Sequence, residues 1–462
     1  MSGAMRHTRF MGLEYLRDDD ALLTDAQVDY GLRRLWALCA GDADWQGQPA
    51  LRFRALTRAA FDRELDLPPG ALPWVATAAW CRDGRALPLD SDRLPALFQT
   101  QPLKVPEDRA PVEFPLDLVA ASFAQLTRLE EHLRPRPDAF GCHDENASIA
   151  VRQGFRERPL LDEWALALHG WLQRVQPGLL MRPAVAGLAI SHDIDVLRYY
   201  KGPMHVVRAL ARKLLKESQG LRALNAVTEG LRAWQTPEED PCVRALDQLM
   251  DFSEACGTRS TFYFMSASPG RYDDGYDVGA PVFRAALERL RLRGHEAGWH
   301  PGFEAAQDDV RFTEEYERLS HALGMRQFGA RHHFLRWDAA RSPCRLQTHG
   351  CTHDASVGYN YHLGFRASTA RAYPAYDLAG DQPLKIEIRP LVAMDGPLLR
   401  SPQGLAAALT QMRARCQAVG GTLSLLVHNY TLMSHPDLTR TLTRLLVGPG
   451  ATAPEELSPC VA

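Results

Sequence analysis

The sequence predicts an α/β protein made of two parts, with a boundary near residue 180. In the first part, apolar residues recur mainly at helical spacing. In the second part, short apolar runs alternate with longer amphipathic segments, which predicts a parallel sheet that is either open or closed into a barrel. We therefore expect a mixed, mainly helical accessory domain over residues 1–180 and an α/β domain over residues 181–462.

The composition restricts the classes of protein to which the chain can belong. Its 462 residues allow one to three domains, and 45% hydrophobic with 24% charged residues is typical of a soluble globular protein. The 53 Lys and Arg residues nearly balance the 56 Asp and Glu residues, so the net charge is −3. Because no overall positive field would attract a phosphate backbone, we expect no nucleic-acid partner.

Targeting and redox signals favour the cytoplasm. The N-terminus lacks the apolar segment of a signal peptide, and no apolar run approaches the ~18 residues of a membrane span. Nine widely spaced Cys residues without a C-x-x-C pair fit reduced thiols better than a disulfide framework. We therefore expect a cytoplasmic protein without a membrane span.

The elements of the first part are predicted from apolar spacing and from proline. Apolar residues at helical spacing predict helices over Leu116–Leu133 and Leu160–Val175, and Asp162 and Glu163 supply an acidic first turn to the second helix. A Pro-rich stretch at 67–73 and another at 134–138 must be turns or loops.

The elements of the second part follow from the alternation of short and long periodic segments. The short apolar runs predict strands at Val185–Ser191, Ser260–Met265, Ala297–His300, Gln327–His332, Ala355–Tyr359, Gly364–Ala367, Leu384–Pro390 and Thr422–His428. The longer segments predict helices near Pro241–Cys256, Pro281–Arg293, Thr313–Leu323 and Pro402–Val419. Polar residues gather where several strands end, which is where parallel α/β folds place their sites.

An acidic pair follows the first of these strands. Asp193 and Asp195 are separated by one residue, so in an extended chain both carboxylates point to the same face, about 6–7 Å apart at the backbone. One carboxylate can then hold a metal ion while the other stays free as a base. A helix-capping or turn-forming pair is the structural alternative.

A second group of polar residues surrounds the strand that ends at His300. His295 and His300 would face opposite sides of one strand, whereas His300 and Glu304 would share a face if Pro301 opens a helical turn. Imidazole nitrogen and carboxylate oxygen both suit zinc or another divalent transition ion. His300 is therefore the better candidate ligand of the two histidines.

Two further strand ends carry candidate catalytic groups. Arg331 could pair with a carboxylate and favour its ionised form, although an Arg that packs its stem on the surface is an equal alternative. His428 follows a buried apolar run and could act as a general acid near neutral pH. Taken alone, His428 would more often be a hydrogen-bonded core histidine.

In this order, the four groups resemble the polysaccharide deacetylase (NodB-homology) family over about Ala184–Leu445. The resemblance implies a distorted (β/α) barrel. It also implies hydrolysis of a sugar N-acetyl group with a divalent metal ion, for which zinc is the expected candidate. By similarity, Asp193 would be the catalytic base, and Asp195 and His300 would be metal ligands. Arg331 would hold the base, and His428 would be the general acid. The stretches 354–359 and 364–368 look like the variant barrels that carry an extra N-terminal region.

The chain departs from the family at one metal position. The family's usual second His, four residues after the first, is replaced here by Glu304. Either Glu304 completes an Asp/His/Glu site, or His295 moves in, or the metal is weakly bound or absent. Four aromatic residues near these motifs could stack on a sugar ring, namely Trp299, Phe334, Trp337 and Tyr359, and His333 is a further candidate substrate contact. Aromatic residues at strand ends are at least as often part of the core.

The sequence thus predicts a metal-dependent hydrolase that removes an N-acetyl group from a saccharide or saccharide precursor in polysaccharide biosynthesis. Two alternatives remain. A nucleotide-sugar glycosyltransferase would also use Asp193 and Asp195, but it needs a Gly-rich phosphate loop that residues 1–180 lack. A non-catalytic glycan-binding barrel is suggested by Glu304 at the expected His position.

Overall fold

The structure is a computed structural model that describes residues 5–447, except 82–91, 108, 181–185, 205, 208–227 and 229. It contains helices and both parallel and antiparallel sheet, which confirms the α/β class. Among the described helices, none combines the length and apolar character that crossing a membrane requires. The start of the predicted strand at Val185 lies outside the described residues.

The N-terminal part is built around a four-stranded sheet that the prediction of a mainly helical region did not locate. The sheet has the order β1–β2–β3–β6, with β1 antiparallel to β2 and the other pairs parallel. These strands have only three to five residues, and β2 is buried along its whole length, so no alternating pattern is long enough to predict a strand. The strands of this part are β1 Arg6–Phe10, β2 Leu13–Arg17, β3 Leu51–Arg54, β4 Trp74–Ala76, β5 Arg93–Pro95 and β6 Val112–Phe114.

Helices pack on this sheet, and both of the helices predicted for this part are found, one of them in two pieces. The predicted helix over Leu116–Leu133 is divided at Arg128, whose φ of 55° lies in the left-handed region. The predicted helix over Leu160–Val175 has the expected bounds. The helices are α1 Asp25–Ala40, α2 Arg58–Leu65, α3 Thr77–Trp80, α4 Leu118–Thr127, α5 Leu129–Leu133, α6 Ile149–Arg152 and α7 Leu160–Val175, with a 3₁₀ turn at Glu145–Ala147.

The C-terminal part contains a five-stranded parallel sheet of order β13–β14–β7–β8–β9. Single bridges from Ala330 to Trp299 and to Asp354 extend it towards β10, which is parallel to β12, and β11 completes this edge antiparallel to β12. Within the described ranges the ladders do not close into a complete barrel. The strands are β7 Gly187–Ile194, β8 Thr261–Met265, β9 Glu296–His300, β10 His353–Asp354, β11 Tyr373–Asp377, β12 Gln382–Ile388, β13 Ala393–Met394 and β14 Thr422–Leu426.

Three predicted strands are not formed as strands. The stretch 327–332 contributes only the bridging residue Ala330. The stretch 355–359 is a loop because Asp354 accepts the backbone N–H of Ser356 at 2.9 Å in a local turn. The stretch 364–367 is also a loop, since the N–H of Phe365 donates to the carbonyl of Arg156 in the N-terminal part.

The helices predicted between the strands are present with shifted ends. The helix predicted from Thr313 begins one turn earlier, at Asp309, because Asp308 caps it by accepting the N–H groups of Val310 and Arg311. The helices of this part are α8 Pro241–Ala255, α9 Pro281–Leu292, α10 Asp309–Leu323, α11 Ser342–Thr348, α12 Asp395–Leu399, α13 Leu405–Ala418, α14 Thr431–Ser434 and α15 Leu438–Val447, with 3₁₀ turns at Pro237–Glu239 and His333–Leu335.

The two parts share one continuous apolar core. Polar contacts fix their relative position, because the Tyr30 hydroxyl donates to the carbonyl of Pro374 at 2.6 Å and the Tyr373 hydroxyl donates to the carbonyl of Leu126 at 2.8 Å. The N-terminal part is therefore packed on the side of the C-terminal sheet that carries β11 and β12.

Candidate metal centre

The acidic pair lies at the carboxyl end of β7, in the middle of the five-stranded sheet. Asp193 is buried, and its Oδ1 accepts a hydrogen bond from Arg331 Nη1 at 2.9 Å. The other Arg331 nitrogens donate to the Ser191 hydroxyl at 2.9 Å and to the carbonyl of Ala355 at 3.0 Å. The structure thus brings Arg331 to Asp193 and holds the guanidinium in one orientation from three directions.

Asp195, His300 and His333 form a group in which one ligand atom from each lies within 4.8 Å of the others. His300 Nε2 is 3.1 Å from Asp195 Oδ1, and His333 Nε2 is 3.8 Å from Asp195 Oδ2. His300 Nδ1 lies 2.5 Å from the carbonyl of Arg331, so Nδ1–H donates and Nε2 keeps its lone pair. An Asp-His-His group of this kind could bind a metal ion.

Asp195 Oδ1 and His300 Nε2 are buried, and beyond their 3.1 Å contact with each other neither atom has a hydrogen-bond partner among the described residues. Most buried polar atoms are fully hydrogen-bonded, so a buried carboxylate oxygen and imidazole nitrogen without further partners require an explanation. A cation between the two atoms would satisfy both, so the residues present fit a metal ion.

The charges of the group stabilise one another. Burial alone would raise the pKa of Asp195, but the nearby His333 and His300 lower it overall. Burial alone would lower the pKa of His300, yet Asp193 and Asp195 raise it. A cationic partner is thus electrostatically favoured beside both carboxylates.

Two residues that the sequence suggested as metal ligands are placed elsewhere. Glu304 is exposed, because Pro301 opens a turn instead of a helix and α10 begins only at Asp309. His295 precedes β9 and lies at the opposite end of this strand from His300, with Nδ1 accepting the N–H of Ser260 at 3.0 Å. His333, which we predicted as a substrate contact, takes the third position of the group instead.

His428 stands at the carboxyl end of β14, next to β7. Its Nδ1 is 2.9 Å from Asp395 Oδ1, and its backbone N–H donates to Asp395 Oδ2 at 2.9 Å. Burial alone would lower the pKa of His428, but Asp395, Asp195 and Asp193 together raise it to about 10. These carboxylates therefore favour the protonated imidazole, in which Nδ1–H is held by Asp395 and Nε2–H is available to the site.

No local pattern in the sequence indicates Asp395 as a site residue. It follows the two-residue strand β13, which is too short to produce a periodic pattern. Its carboxylate is buried, and His428, which is 33 residues distant in sequence, supplies the compensating positive charge. Only the pairing of β13 with β14 brings the two residues together.

The aromatic residues predicted to contact a sugar are mostly inaccessible. Trp299 is fully buried against Phe312 and Tyr316 of α10, and Tyr359 is also buried. Trp337 donates its indole N–H to Asp354 Oδ2 at 2.8 Å inside the core. These three residues therefore pack the fold, whereas the half-buried Phe334 lies next to His333, with ring centroids 4.7 Å apart.

Comparisons with known proteins add little to this geometry. A model described as a family of unknown function (DUF7033) matches residues 77–177, in the N-terminal part. A solved structure from Mycobacterium smegmatis, described provisionally as a polysaccharide deacetylase, is similar at 13% identity and a TM-score of 0.36. That similarity covers 58% of this chain and 85% of the other. No curated protein matches the chain.

Proposed function

We propose that this protein is a metal-dependent hydrolase that removes an N-acetyl group from a saccharide or a saccharide precursor in polysaccharide biosynthesis. One observation carries the proposal. The group of Asp195, His300 and His333 lies beside an Arg-held carboxylate, Asp193, and a protonated imidazole, His428. Hydrolysis of an amide needs a site for the developing oxyanion, a base and an acid, and these groups can supply all three.

Asp195, His300 and His333 would hold the divalent ion. Two imidazole nitrogens and one carboxylate oxygen form a donor set typical of catalytic zinc. When bound, such an ion supplies positive charge that polarises the acetyl carbonyl and stabilises negative charge on its oxygen.

Asp193 is the proposed general base. Arg331 engages Oδ1, while Oδ2 faces the group at 3.9 Å from His300 Nε2. The Arg331 guanidinium orients the carboxylate, and an ionised carboxylate can accept a proton from water. As the water oxygen bonds to the acetyl carbon, its proton moves to Asp193.

His428 is the proposed general acid. Its raised pKa keeps it protonated before the reaction, and Asp395 fixes the orientation of its ring. When the bond between the carbonyl carbon and the nitrogen breaks, Nε2–H donates its proton to the departing amine. The products are acetate and the free amino sugar, so the atoms of substrate and water are accounted for.

The proposal is tested by incubating the zinc-loaded full chain with a panel of N-acetylated saccharides and nucleotide-linked N-acetyl sugars, and by measuring acetate release. We expect release from at least one substrate, and loss of release in His428→Ala. Glycan binding without any acetate release would contradict the proposal and favour a non-catalytic glycan-binding barrel. Transfer of a sugar from a nucleotide donor would favour the glycosyltransferase reading of Asp193 and Asp195.

A further inference from the structure

We propose that Asp273 is a positioning residue for the metal group, because it fixes the ring of His333. The inference rests on the proposed function in one respect only, namely that the group binds a metal ion. Asp273 lies in the loop between β8 and α9, outside every motif that the sequence analysis singled out.

The contact between the two side chains selects one tautomer of His333. Asp273 Oδ1 lies 2.8 Å from His333 Nδ1, and both residues are buried. An ionised carboxylate can only accept, so Nδ1–H donates and the lone pair of Nε2 points away from Asp273. Nε2 is the atom that faces Asp195 Oδ2 at 3.8 Å. Hydrogen bonds of this type orient metal-binding imidazoles and increase their basicity.

The backbone that follows His300 holds Asp273 in turn. The N–H of Phe303 donates to both Asp273 oxygens, at 2.9 and 3.0 Å, and the N–H of His333 donates to the carbonyl of Pro301 at 3.0 Å. The same turn that carries the chain away from His300 therefore also fixes the carboxylate that orients His333. Because the N–H groups of Gly302 and Phe303 bind side chains, the turn does not continue as a helix, and Glu304 lies at the surface.

Gly302 is required by the same arrangement. A Cβ atom at this position would lie 2.6 Å from the Cβ of Ala267 and 3.0 Å from Asp273 Oδ2. Its N–H donates to Glu315 Oε2 at 2.8 Å, so two buried carboxylates approach this turn side by side. Any larger residue would displace Asp273 from His333.

The chain beyond His333 is held in an uncommon conformation. Phe334 and Leu335 have φ angles of 58° and 47°, in the left-handed region that bulky residues rarely adopt. Such a conformation persists only when the surrounding structure imposes it. This conformation turns the chain sharply after His333. The orientation of the His333 ring is therefore constrained both by Asp273 and by the backbone that follows it.

The test measures zinc affinity of the full chain by competition with a chromophoric chelator, together with the visible spectrum of the cobalt(II)-substituted protein. Asp273→Asn is expected to weaken zinc binding by about 10–100-fold and to change the cobalt spectrum. Glu315→Gln is the matched control, because it removes a carboxylate that binds the N–H of Gly302 in the same turn and does not contact His333. It should keep the wild-type affinity and spectrum.

A second comparison separates positioning from folding. In a His333→Ala background, adding Asp273→Asn should cause no further loss of zinc affinity if the carboxylate acts through His333. Should Asp273→Asn fail to fold, Asp273→Glu, which keeps the charge but displaces the carboxylate by one methylene, is expected to weaken binding in the same direction. The melting temperature of each metal-free variant reports the folding effect.

The outcomes distinguish this inference from the proposed function. Wild-type zinc affinity in Asp273→Asn, equal losses in Asp273→Asn and Glu315→Gln, or an additive loss in the double variant would each overturn the positioning role. Absence of zinc binding by the wild type would instead overturn the metal-dependent function itself. Zinc binding that depends on Asp273, without acetate release from any substrate, would support the positioning role and contradict the proposed reaction.

Discussion

Two buried clusters of charge in this protein differ in the groups that balance the central carboxylate. At the junction of the two parts, both oxygens of Glu131 accept hydrogen bonds from Arg366, at 3.0 and 2.7 Å. The neighbouring Arg128 also pairs with Glu131, although its Nη2 is buried without a partner. At the end of β7, by contrast, Asp195 faces two imidazoles, with Oδ1 3.1 Å from His300 Nε2 and Oδ2 3.8 Å from His333 Nε2. We call Glu131, Arg366 and Arg128 the closed cluster, because guanidinium groups bind its carboxylate, and Asp195, His300 and His333 the open cluster, because its atoms could bind a metal ion.

The pKa values alone would not separate these two clusters. Burial alone would raise the pKa of Glu131, but Arg366 and Arg128 lower it overall, just as His333 and His300 lower that of Asp195. A shifted pKa therefore marks any buried charge with an opposite neighbour. The kind of partner distinguishes the two clusters, because a guanidinium has no lone pair for a metal ion, whereas an imidazole nitrogen can offer one.

The largest expected effect comes from removing the central carboxylate of the open cluster. Asp195→Ala should abolish stoichiometric metal binding and acetate release, because it removes the carboxylate whose two oxygens face His300 and His333. The loss of affinity should exceed the ~10–100-fold that is typical for a residue behind a ligand. Elemental analysis and acetate assays measure the two effects. Full metal content in this variant would show that the open cluster is not the metal site.

Removing the acid should separate chemistry from metal binding. His428→Ala is expected to lower the rate of acetate release by about 10²–10⁴-fold while metal content stays at the wild-type level. His435→Ala is the control, since His435 is exposed and lies outside the site. A rate that is unchanged in His428→Ala would remove the residue from the mechanism.

Breaking the closed cluster should affect stability and leave the metal site intact. Glu131→Ala leaves the buried Arg366 and Arg128 without their shared carboxylate, which typically costs about 3–5 kcal/mol in the free energy of unfolding. Denaturant unfolding measures this cost. Asp29→Asn breaks an exposed pair with Arg33 and should cost at most ~0.5 kcal/mol. Loss of metal from folded Glu131→Ala would contradict the separation of the two clusters.

The smallest effect concerns a buried carboxyl beside the junction. Burial raises the pKa of Glu145 to about 7, although its carboxylate accepts the N–H groups of Asn360 and Tyr361. Since its folded pKa exceeds its unfolded pKa, its stabilising contribution is complete below about pH 4.5 and is lost as the pH rises through about 7. Between about pH 5 and 8, the free energy of unfolding of the wild type should therefore fall by about 1–3 kcal/mol more than that of Glu145→Gln, whose side chain stays neutral. If the free energy of unfolding has the same pH dependence in the wild type and in Glu145→Gln, the pKa of Glu145 is not raised.

The sequence could predict the side chains that stand at strand ends. The apolar run before Asp193, the strand that ends at His300 and the run before His428 are local patterns, and the structure brings all three residues to one edge of the sheet. The α/β class was predictable for the same reason, because alternating strands and helices are visible in a single sequence.

What the sequence could not predict depends on contacts between distant loops. His333 meets Asp273 across 60 residues, and neither lies in a periodic segment. The position of Glu304 was misjudged because a helical turn was assumed after Pro301, whereas the N–H groups of Gly302 and Phe303 bind side chains instead. The N-terminal sheet is not predicted because its strands are only three to five residues long, which is too short for a period-2 pattern to be distinguished from other arrangements.

The most direct test of the account is the zinc content of the purified full chain beside that of two variants, His333→Ala and Glu304→Ala. The geometry predicts near-stoichiometric zinc in the wild type and in Glu304→Ala, and its loss in His333→Ala. Zinc that is retained without His333 but lost without Glu304 would contradict the Asp-His-His centre, and absence of zinc from the reconstituted wild type would contradict a metal-dependent reaction altogether.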